Sequence, residues 1–515
     1  MVKKQNFLVG AFILAVAGAV SKALGAVYRI PLARLIGGEG MGLYQMAYPI
    51  YTTILALATA GVPVAISVLV ARKETEGLRG DSRRIFRVSL VGLALLGLVL
   101  SIVVWQGAGF LARNILHEPR AVYPIMAIAP AIFFSGLMSV FRGYFQGYQW
   151  MVPTAVSQVV EQIFRVTFVL ILAYLLFPRG LEYAAAGATF GAVVGGIAGL
   201  IFLLYSYIRF RRQMKRDSGV LPCSRESSVE LGWQVVKLAV PISFGAVVVP
   251  LVQMLDAVIV PGRLMASGYS TSQATALYGQ LSGMASVLIN LPTIFTIAIA
   301  TSLVPAVSEV AARKDWSELR ARVNNGVRAA MLISLPSAAG LYVLARQITD
   351  LLFASPEAGI PLEPLAFSVI VLAAFQVSSA SLQGLARPDI PLRNLIITGL
   401  LKVFFNYYLT GTFLAIRGPA IGTVVAFFVG SCLNFYELRK ISRVSFEGKR
   451  FIKLVVATTL MGVGVKMAYQ GFVAQGLYSY YSTVLAIGAG VLLYGGILFV
   501  IRELDIKTIR SLIKV

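Results

Sequence analysis

The chain contains very little of what metal centres and enzyme active sites are usually built from. Its 515 residues include one histidine, two cysteines and only 22 acidic residues. His117 falls in a predicted loop, Cys223 in a basic loop and Cys432 in a late apolar segment, so neither a zinc site nor a thiol nucleophile beside a histidine is expected. No GxxxxGK[ST] phosphate loop is present, so ATP hydrolysis is not expected either. The sequence predicts a protein that is not an enzyme and that holds no metal or cofactor.

Charged residues are also scarce, whereas long apolar runs are abundant. Hydrophobic residues make up 58% of the chain and charged residues 13%, and the mean hydropathy is +0.80. These values are typical of an integral membrane protein. The first apolar run, from Phe7 to Tyr28, is too long for a cleavable signal peptide, so we interpret it as a span.

Apolar length predicts an all-α integral membrane fold of about fourteen transmembrane helices in the cell membrane, because about 20 helical residues cross a ~30 Å hydrocarbon core. The predicted spans are residues 7–33, 42–70, 87–105, 121–147, 154–177, 184–208, 232–260, 276–304, 324–345, 364–385, 392–415, 419–437, 454–471 and 478–501.

Lysine and arginine accumulate in alternate predicted loops, as the positive-inside rule requires. Of the 45 lysines and arginines, 30 fall on the side of the N-terminus and seven on the opposite side. This asymmetry predicts that both termini are cytoplasmic. Orientation and attraction to anionic lipid headgroups account for the net charge of +23, so no nucleic-acid partner is expected.

Two motifs of the first half recur in the second half. The segment ISVLVARKE (66–74) matches VSEVAARKD (307–315) at an offset of 241, and Gln146-Gly147 matches Gln383-Gly384 at an offset of 237. Similar offsets for two motifs indicate an internal duplication. Since the offset corresponds to six predicted spans, an even number, both copies would have the same orientation in the membrane.

The duplication predicts three regions: an N-lobe of spans 1–6 (1–225), a C-lobe of spans 7–12 (226–445), and two extra C-terminal spans with a cytoplasmic tail (446–515). Two parallel lobes can rock against each other and expose a central site to either side of the membrane in turn. This organisation favours a transporter. Within span 6, Gly191, Gly195 and Gly199 have the spacing that permits close helix contact.

Ionisable residues inside predicted spans are the candidate functional residues, because such groups are costly in lipid and usually face a cavity or one another. Lys22 and Arg29 are seven residues apart on one predicted helix face, and Glu161 and Arg165 have the i,i+4 spacing of an ion pair. The predicted substrate-binding residues are Lys22, Arg29, Arg142, Arg165 and Lys402, and the predicted supporting or coupling residues are Glu161, Asp256 and Asn406.

Two interpretations of these groups stay open. The cluster of Arg142, Glu161 and Arg165 is either a structural salt bridge or a direct contact to cargo. Asp256 either binds a coupling cation or neutralises Lys402. Because cations in the spans outnumber acids, a cavity lined by them would select anionic cargo, such as a pyrophosphate attached to a lipid.

Four segments closely resemble the stage V sporulation protein B family, a branch of the multidrug/oligosaccharidyl-lipid/polysaccharide exporter superfamily that also includes MurJ-type lipid II flippases. They are FRGYFQGYQWMVPTAVSQVVEQIFR (141–165), LEYAAAGAT (181–189), YRIPLARLIGGEGMGLYQMAYP (28–49) and GVPVAISVLVA (61–71). The resemblance implies a V-shaped two-lobe helical transporter that moves an undecaprenyl-pyrophosphate-linked sugar precursor outward, for peptidoglycan or spore cortex.

MurJ-type proteins carry a Ser-Arg-x-x-Gly-x-x-Arg-Asp pattern in the first span, and this chain departs from it. Its SKALGAVYRI keeps Lys22 as the first cation and Gly25 as the glycine, but Tyr28 stands in place of the second arginine and Arg29 in place of the aspartate. Some members of the family bind sodium through acids on the seventh and eleventh spans. Here Lys402 on the eleventh opposes a cation, so coupling to Na⁺, H⁺ or membrane potential stays open.

Other functions compatible with the sequence are a polysaccharide or drug exporter on the same fold, and a non-transporting scaffold for cell-wall enzymes. A scaffold does not need cations inside its spans, so the retained charges favour transport. The expected partners are a lipid-linked saccharide, the bilayer and cell-wall synthases, with a monomer as the transport unit. Loss of complementation by Lys22→Ala with Arg29→Ala separates transporter from scaffold, and resistance to cationic drugs would favour the drug exporter.

Overall fold

The computed structural model describes residues 7–216, 222–442, 448–501 and 503, which form α-helices, short helical turns and connecting loops without a strand. The predicted tail beyond residue 503 and the basic pair Lys3 and Lys4 lie outside the described residues. The α-helices are α1 Phe7–Val27, α2 Arg29–Thr59, α3 Val62–Thr75, α4 Arg79–Phe110, α5 Val122–Ile128, α6 Pro130–Gly147, α7 Val152–Leu176, α8 Leu181–Arg216, α9 Ser228–Ala266, α10 Thr271–Tyr278, α11 Ser286–Ala312, α12 Trp316–Val343, α13 Ala345–Phe353, α14 Gly359–Leu365, α15 Ser368–Gly384, α16 Asp389–Thr410, α17 Arg417–Ser442, α18 Gly448–Ala474 and α19 Ser479–Val500.

The described helices confirm an all-α, multi-pass membrane protein. Eleven helical stretches among these residues are long and apolar enough to cross a membrane, and a twelfth if the bent pair Pro356–Leu365 and Ser368–Gly384 forms one span. The stretch Phe12–Thr75 is counted once although its 64 residues are about three times the ~20 needed for a crossing, and Gly37 breaks its helical geometry at φ 66°. The number fourteen stays a prediction.

The contacts divide the chain into two compact units. Unit 1 comprises Met1–Met265 and Tyr269–Gly279, and unit 2 comprises Ala266–Gly268 and Gln280–Val515. The helices α9 and α10 thus belong to unit 1 by their contacts, whereas the predicted repeat boundary falls before α9. The three predicted regions, 1–225, 226–445 and 446–515, stay predictions.

The backbone of unit 1 recurs in unit 2 at the spacing that separates Gln146 from Gln383, which we call the repeat offset. Helix α5 and its counterpart α14 have the same length, and the 3₁₀ turns before them, Pro119–Ala121 and Pro356–Ala358, also match. The starts of α4 and α12, the starts of α7 and α16, and the ends of α6 and α15 are all separated by the repeat offset. The duplication inferred from short motifs is therefore present in the secondary structure.

Left-handed backbone positions repeat at the same offset. Gln149 (φ 56°) corresponds to Ala386 (φ 58°), and His117 (φ 56°) corresponds to Ala354 (φ 52°). Positive φ is uncommon for residues other than glycine. Each pair follows the ends of equivalent helical segments, so the histidine of unit 1 lies at a turn that unit 2 forms with an alanine.

Equivalent glycines make equivalent contacts. A Cβ added at Gly147 would lie within 3.1 Å of the Ser67 carbonyl oxygen and of Val70, and one added at Gly384 would meet Val304 and Val307, their counterparts at the repeat offset. The motif match between 66–74 and 307–315 is therefore wrong by four residues, about one helical turn. The two segments have similar sequences at the ends of their helices, so the four-residue shift was not evident from the sequence.

A glycine stripe on α8 lies directly against α7, which confirms the predicted close helix contact. A Cβ at Gly195 would lie 2.6 Å from the Glu161 carbonyl oxygen and 2.9 Å from Arg165 Cβ, and one at Gly199 would lie 3.2 Å from Glu161 Cβ. In unit 2, Gly430 of α17 approaches Thr398 of α16 in the same way. Small residues allow helix backbones to approach closely in membranes.

A polar tether holds the segment before α9 to the start of α4 within unit 1. The Gly80 amide donates to the Pro222 carbonyl at 2.9 Å, and the Ser224 amide donates to Asp81 Oδ2 at 2.9 Å. Lys73 Nζ forms an ion pair with Glu226. Lys73 and hydrogen bonds from Gln234 and Ser224 lower the pKa of Glu226 to about 2.

Replacing Glu226 with glutamine is expected to loosen this tether at neutral pH. Because the folded-state pKa of Glu226 lies below its usual value, the ion pair contributes fully at pH 7 and pH 5 and is lost only as the pH falls towards 2. Hydrogen–deuterium exchange at Gly80 and Ser224 should accelerate by up to about fivefold in Glu226→Gln, the equivalent of about 1 kcal/mol. The control Glu230→Gln, whose carboxylate accepts only a local bond from Ser227 N, should not change it. If the wild-type amides of Gly80 and Ser224 were less protected at pH 5 than at pH 7, relative to the intrinsic exchange rate at each pH, this account would be contradicted.

Candidate functional site

The centre of the candidate site is a carboxylate held by two arginines of unit 1. Arg142 of α6 donates from Nη2 to Glu161 Oε2 of α7 at 2.8 Å. Arg165, one turn further along α7, donates from Nη2 to Glu161 Oε1 at 2.6 Å. The predicted i,i+4 pair is thus formed, and Arg142 joins it. Two cations and one anion leave this cluster with a net positive charge.

The cluster is largely buried but accessible. The side chains of Arg142, Glu161 and Arg165 are 17%, 14% and 13% exposed. Arg142 Nε also donates to Ser157 Oγ at 3.1 Å, while Arg165 Nε has no hydrogen-bond partner among the described residues. The arginines therefore retain donor capacity that Glu161 does not use.

A group of tyrosines connects this cluster to Arg29. The Arg29 guanidinium lies 6.0 Å from the centre of the Tyr48 ring, at the limit of a cation–π contact, and the hydroxyls of Tyr28 and Tyr44 are 2.7 Å apart. Arg165 is within electrostatic range of Tyr28, Tyr48 and Tyr51. Arg29 and Arg165 thus share the same aromatic surroundings, although Arg29 lies at the start of α2 and Arg165 lies on α7.

The sequence interpretation missed these tyrosines as part of the site. Tyr44, Tyr48 and Tyr51 have i, i+4 and i+7 spacing on α2, which places them on one helix face. The Tyr51 hydroxyl forms a hydrogen bond with Ser135 Oγ of α6 at 3.0 Å. The signal was available in the sequence, but aromatic residues at helical spacing occur equally in ordinary packing.

Lys22 lies on α1 and its side chain is exposed. Helix α1 packs on α7 next to the cluster, since a Cβ at Gly25 would lie 3.3 Å from Gln162 Nε2. Arg29 is only partly buried and opens α2 after Tyr28. The structure therefore places Arg29 with the arginine cluster, whereas the role of Lys22 stays a prediction.

Three of the four equivalent positions of unit 2 carry neutral groups. At the repeat offset, Arg142 corresponds to Ser379, Ser157 to Asn394 and Glu161 to Thr398, while Arg165 corresponds to Lys402. Unit 2 thus keeps one cation, and it lacks the carboxylate and the second arginine at these positions.

A network of neutral side chains connects the helices of unit 2 where the ions connect those of unit 1. Asn434 of α17 donates from Nδ2 to Ser379 Oγ of α15 at 2.9 Å, and it accepts from Asn394 Nδ2 of α16 at 2.8 Å. The Thr398 hydroxyl donates to the Asn394 carbonyl at 2.8 Å. The side chains of Asn394, Thr398 and Asn434 are at most 1% exposed. Arg393, which pairs with Glu437, donates to this network from Nε to Asn394 Oδ1 at 3.3 Å.

The remaining predicted residues, Asp256 and Asn406, belong to different units. Asp256 is on α9 of unit 1 and is partly buried, and Asn406 is on α16 of unit 2, buried beside Gly422. Pairing of Asp256 with Lys402, and a coupling role for either, stay predictions. In the described residues no group of three or more histidine, cysteine, aspartate or glutamate side chains is arranged to hold a metal ion.

Replacing Gly195 with alanine is expected to disrupt the site through packing alone. The new methyl would overlap the Glu161 carbonyl and Arg165 Cβ, so α7 must move away from α8. Overpacking of this kind costs about 1–3 kcal/mol, and it should lower the melting temperature in detergent together with transport. Gly92→Ala on α4, where a Cβ would meet nothing within 4 Å, is the matched control and should leave both unchanged or slightly raise stability. A normal melting temperature and transport rate for Gly195→Ala would contradict this contact.

The chain matches a known protein family. The model described as "Polysaccharide biosynthesis protein" matches residues 7–311, and a second, described as "MatE", matches residues 241–408. The stage V sporulation protein B of Bacillus subtilis (strain 168) is 30% identical over 99% of this chain and 98% of its own length. The lipid II flippase MurJ of the same organism is 27% identical over 90% of this chain and 88% of its own length.

Solved structures share the fold. A lipid II flippase MurJ in an inward closed conformation superposes with a TM-score of 0.74 at 15% identity, covering 96% of this chain and 99% of that one. An inward-facing multidrug resistance MATE family transporter of the MOP superfamily superposes with a TM-score of 0.67 at 17% identity, covering 82% and 94%. At these identities the likeness shows the fold alone.

Proposed function

The chain belongs to the polysaccharide biosynthesis protein family, and from this premise we propose that it is a flippase for an undecaprenyl-pyrophosphate-linked saccharide. The protein is a multi-pass membrane transporter rather than an enzyme. It would carry the saccharide and pyrophosphate from the cytoplasmic to the outer leaflet by exposing one site alternately to the two sides of the membrane. The polyprenyl tail would stay in the bilayer.

The observation that carries this proposal is the difference between the two repeats. In unit 2 the helices α15, α16 and α17 are connected at the equivalent positions by the neutral side chains of Asn394, Asn434 and Ser379. The equivalent crossing in unit 1 uses Arg142, Glu161 and Arg165. Although Arg393 and Glu437 also form an ion pair between α16 and α17, the positions equivalent to Arg142 and Glu161 are neutral. Packing therefore does not require ions at these two positions, where they are costly in a membrane.

An anionic cargo supplies a reason for keeping these ions. Arginine binds phosphate oxygens through charge-assisted, often bidentate hydrogen bonds. Arg29, Arg142 and Arg165 together outnumber the one carboxylate among them, Glu161. The tyrosines beside Arg29 and Arg165 offer flat faces and hydroxyls against which a sugar can lie.

The class of precursor follows from the relatives. One is named a lipid II flippase and another a stage V sporulation protein, so lipid II or a related precursor of peptidoglycan or spore cortex is the proposed cargo. Cytoplasmic termini, a monomeric transport unit, contact with cell-wall synthases, and coupling to membrane potential, H⁺ or Na⁺ belong to the same proposal.

Reconstitution into liposomes with fluorescent lipid II tests the proposal. The purified chain should expose the labelled headgroup to a membrane-impermeant quencher faster than protein-free liposomes do, and imposing a potential, a proton gradient or a sodium gradient in turn identifies the energy source. Headgroup translocation at the protein-free rate under every gradient would refute the proposed function.

A drug exporter on the same fold is the second candidate, because the MatE model matches residues 241–408. A site dominated by arginine disfavours cationic drugs by like-charge repulsion. Expression in a drug-sensitive strain separates the two candidates: resistance to cationic drugs would favour the exporter, and unchanged sensitivity is expected for the flippase.

A further inference from the structure

We propose that Glu161 is an internal substitute for the cargo phosphate, which occupies Arg142 and Arg165 between transport events and yields them when cargo binds. The proposal rests on the proposed function and assigns a separate role within it. Glu161 would set how tightly the site holds an anion, and therefore how readily the anion leaves.

The geometry of the carboxylate is that of a bound anion. Its two oxygens contact different arginines, Oε2 with Arg142 Nη2 at 2.8 Å and Oε1 with Arg165 Nη2 at 2.6 Å. A phosphate bridging the same two guanidinium groups would use the same donors. Glu161 and cargo thus compete for one pair of arginines, and both cannot occupy it fully.

Arg142 and the backbone of α7 have contacts that do not involve the Glu161 side chain. Arg142 Nε donates to Ser157 Oγ at 3.1 Å, and the Gly195 and Gly199 contacts fix the backbone of α7 against α8. When Glu161 withdraws, Ser157 still orients Arg142. Arg142 is therefore still oriented, and the backbone of Arg165 still fixed, when a different anion is received.

The second repeat shows that this place in the helix does not call for an acid. Thr398 stands where Glu161 stands in unit 1, and Lys402 stands where Arg165 stands. The Thr398 hydroxyl donates to the Asn394 carbonyl of its own helix. A cation at this position is thus compatible with the fold without a carboxylate one turn before it, so the acid in unit 1 serves the arginines rather than the helix.

The energetic effect of such a substitute is to weaken cargo binding. Two arginines without a counter-ion in a mostly buried site would bind a pyrophosphate strongly, since charges attract more when water is excluded. An internal carboxylate must be displaced first, which reduces the apparent affinity. The Glu161 carboxylate also returns to the arginines as cargo leaves, so that Arg142 and Arg165 are not left without a counter-ion.

Glutamine at position 161 tests the proposal, because it keeps the shape and removes the charge. Binding of inorganic pyrophosphate to the full-length protein in detergent, measured by titration calorimetry, should be about tenfold tighter in Glu161→Gln than in the wild type, equivalent to about 1.4 kcal/mol. In liposomes, half-saturation by lipid II should occur at lower concentration and the maximal rate should fall. A merely structural Glu161 predicts weaker binding and slower transport together.

Two further variants keep the test decisive. Glu161→Asp keeps the charge with a shorter reach and should bind pyrophosphate with an affinity between those of the wild type and Glu161→Gln; it also serves if the glutamine variant does not fold. Thr398→Val, at the equivalent position of unit 2, should leave pyrophosphate affinity at the wild-type value. Unchanged or weaker binding in both Glu161 variants, in a wild type that transports lipid II, would overturn the role of Glu161 and leave the flippase standing. A wild type that does not transport lipid II fails the proposed function instead.

Discussion

Removing Arg29 and Arg165 together is expected to abolish transport of the lipid-linked saccharide while leaving the protein folded. Both guanidinium groups lie beside the same tyrosines, and each has a buried Nε without a hydrogen-bond partner among the described residues. A charge-assisted hydrogen bond contributes about 1.5–3 kcal/mol, so the loss of two should slow transport at least about 100-fold. Lipid II translocation in liposomes, together with complementation of a flippase-depleted strain, measures the effect of Arg29→Ala with Arg165→Ala.

The matched control is another cation within a membrane helix. Lys466 of α18 is exposed, and Lys466→Ala should transport at the wild-type rate. Arg29→Lys with Arg165→Lys keeps both charges but loses the planar donor fork, so an intermediate rate is expected. Wild-type transport by the double alanine variant would exclude these arginines from the cargo site.

The second large effect is expected from giving unit 1 the uncharged network of unit 2. The network positions on the first two helices correspond at the repeat offset. On the third helix the glycines define the match, because Gly199 contacts Glu161 and Gly430 contacts its counterpart Thr398. Asn434, four residues after Gly430, therefore corresponds to the buried Leu203, four residues after Gly199. The four substitutions are Arg142→Ser, Ser157→Asn, Glu161→Thr and Leu203→Asn. Arg165 is left in place, as Lys402 is in unit 2.

This exchange separates packing from function. Because the same neutral groups already form hydrogen bonds across the equivalent helix crossing in this chain, the variant should fold and melt within a few degrees of the wild type. Transport in liposomes should nevertheless fall at least about tenfold, since one arginine and its internal anion are gone. Leu203→Asn alone, which introduces a buried amide without its partners, is the control and should destabilise the protein. A stable exchange variant with normal transport would show that the ions are replaceable structural groups.

Apolar runs and charge were enough to predict a helical membrane protein, because lipid leaves the backbone few alternatives. The break between α6 and α7 followed from Gln149 to Pro153, and a repeat was evident from Gln146 and Gln383. The register was harder: similar sequences at two helix ends suggested pairing 66–74 with 307–315, whereas the contacts of Gly147 and Gly384 pair Val70 with Val307. Contacts across the bundle, rather than local sequence, determine the register.

The site was predictable in part for the same reason. The spacing of Glu161 and Arg165 is a local property of one helix, so their pairing followed from the sequence. Contact of Arg142 with that pair depends on how α6 crosses α7, and the place of Arg29 depends on tyrosines of α2. The neutral counterpart in unit 2 could be recognised only once the correct offset was known, because Thr398 and Ser379 do not attract notice individually.

The glycine stripe between α7 and α8 also bears on the order in which the protein assembles. These helices are consecutive in the chain, and their contacts at Gly187, Gly191 and Gly195 involve no third element. The pair can therefore form as soon as both helices have left the translocon, with Glu161 already beside Arg165. The same holds for α16 and α17, whose close contacts at Gly418 and Gly422 are again between neighbours in sequence. During synthesis each repeat would thus acquire its own preformed helical hairpin, and the helices made earlier would dock onto it.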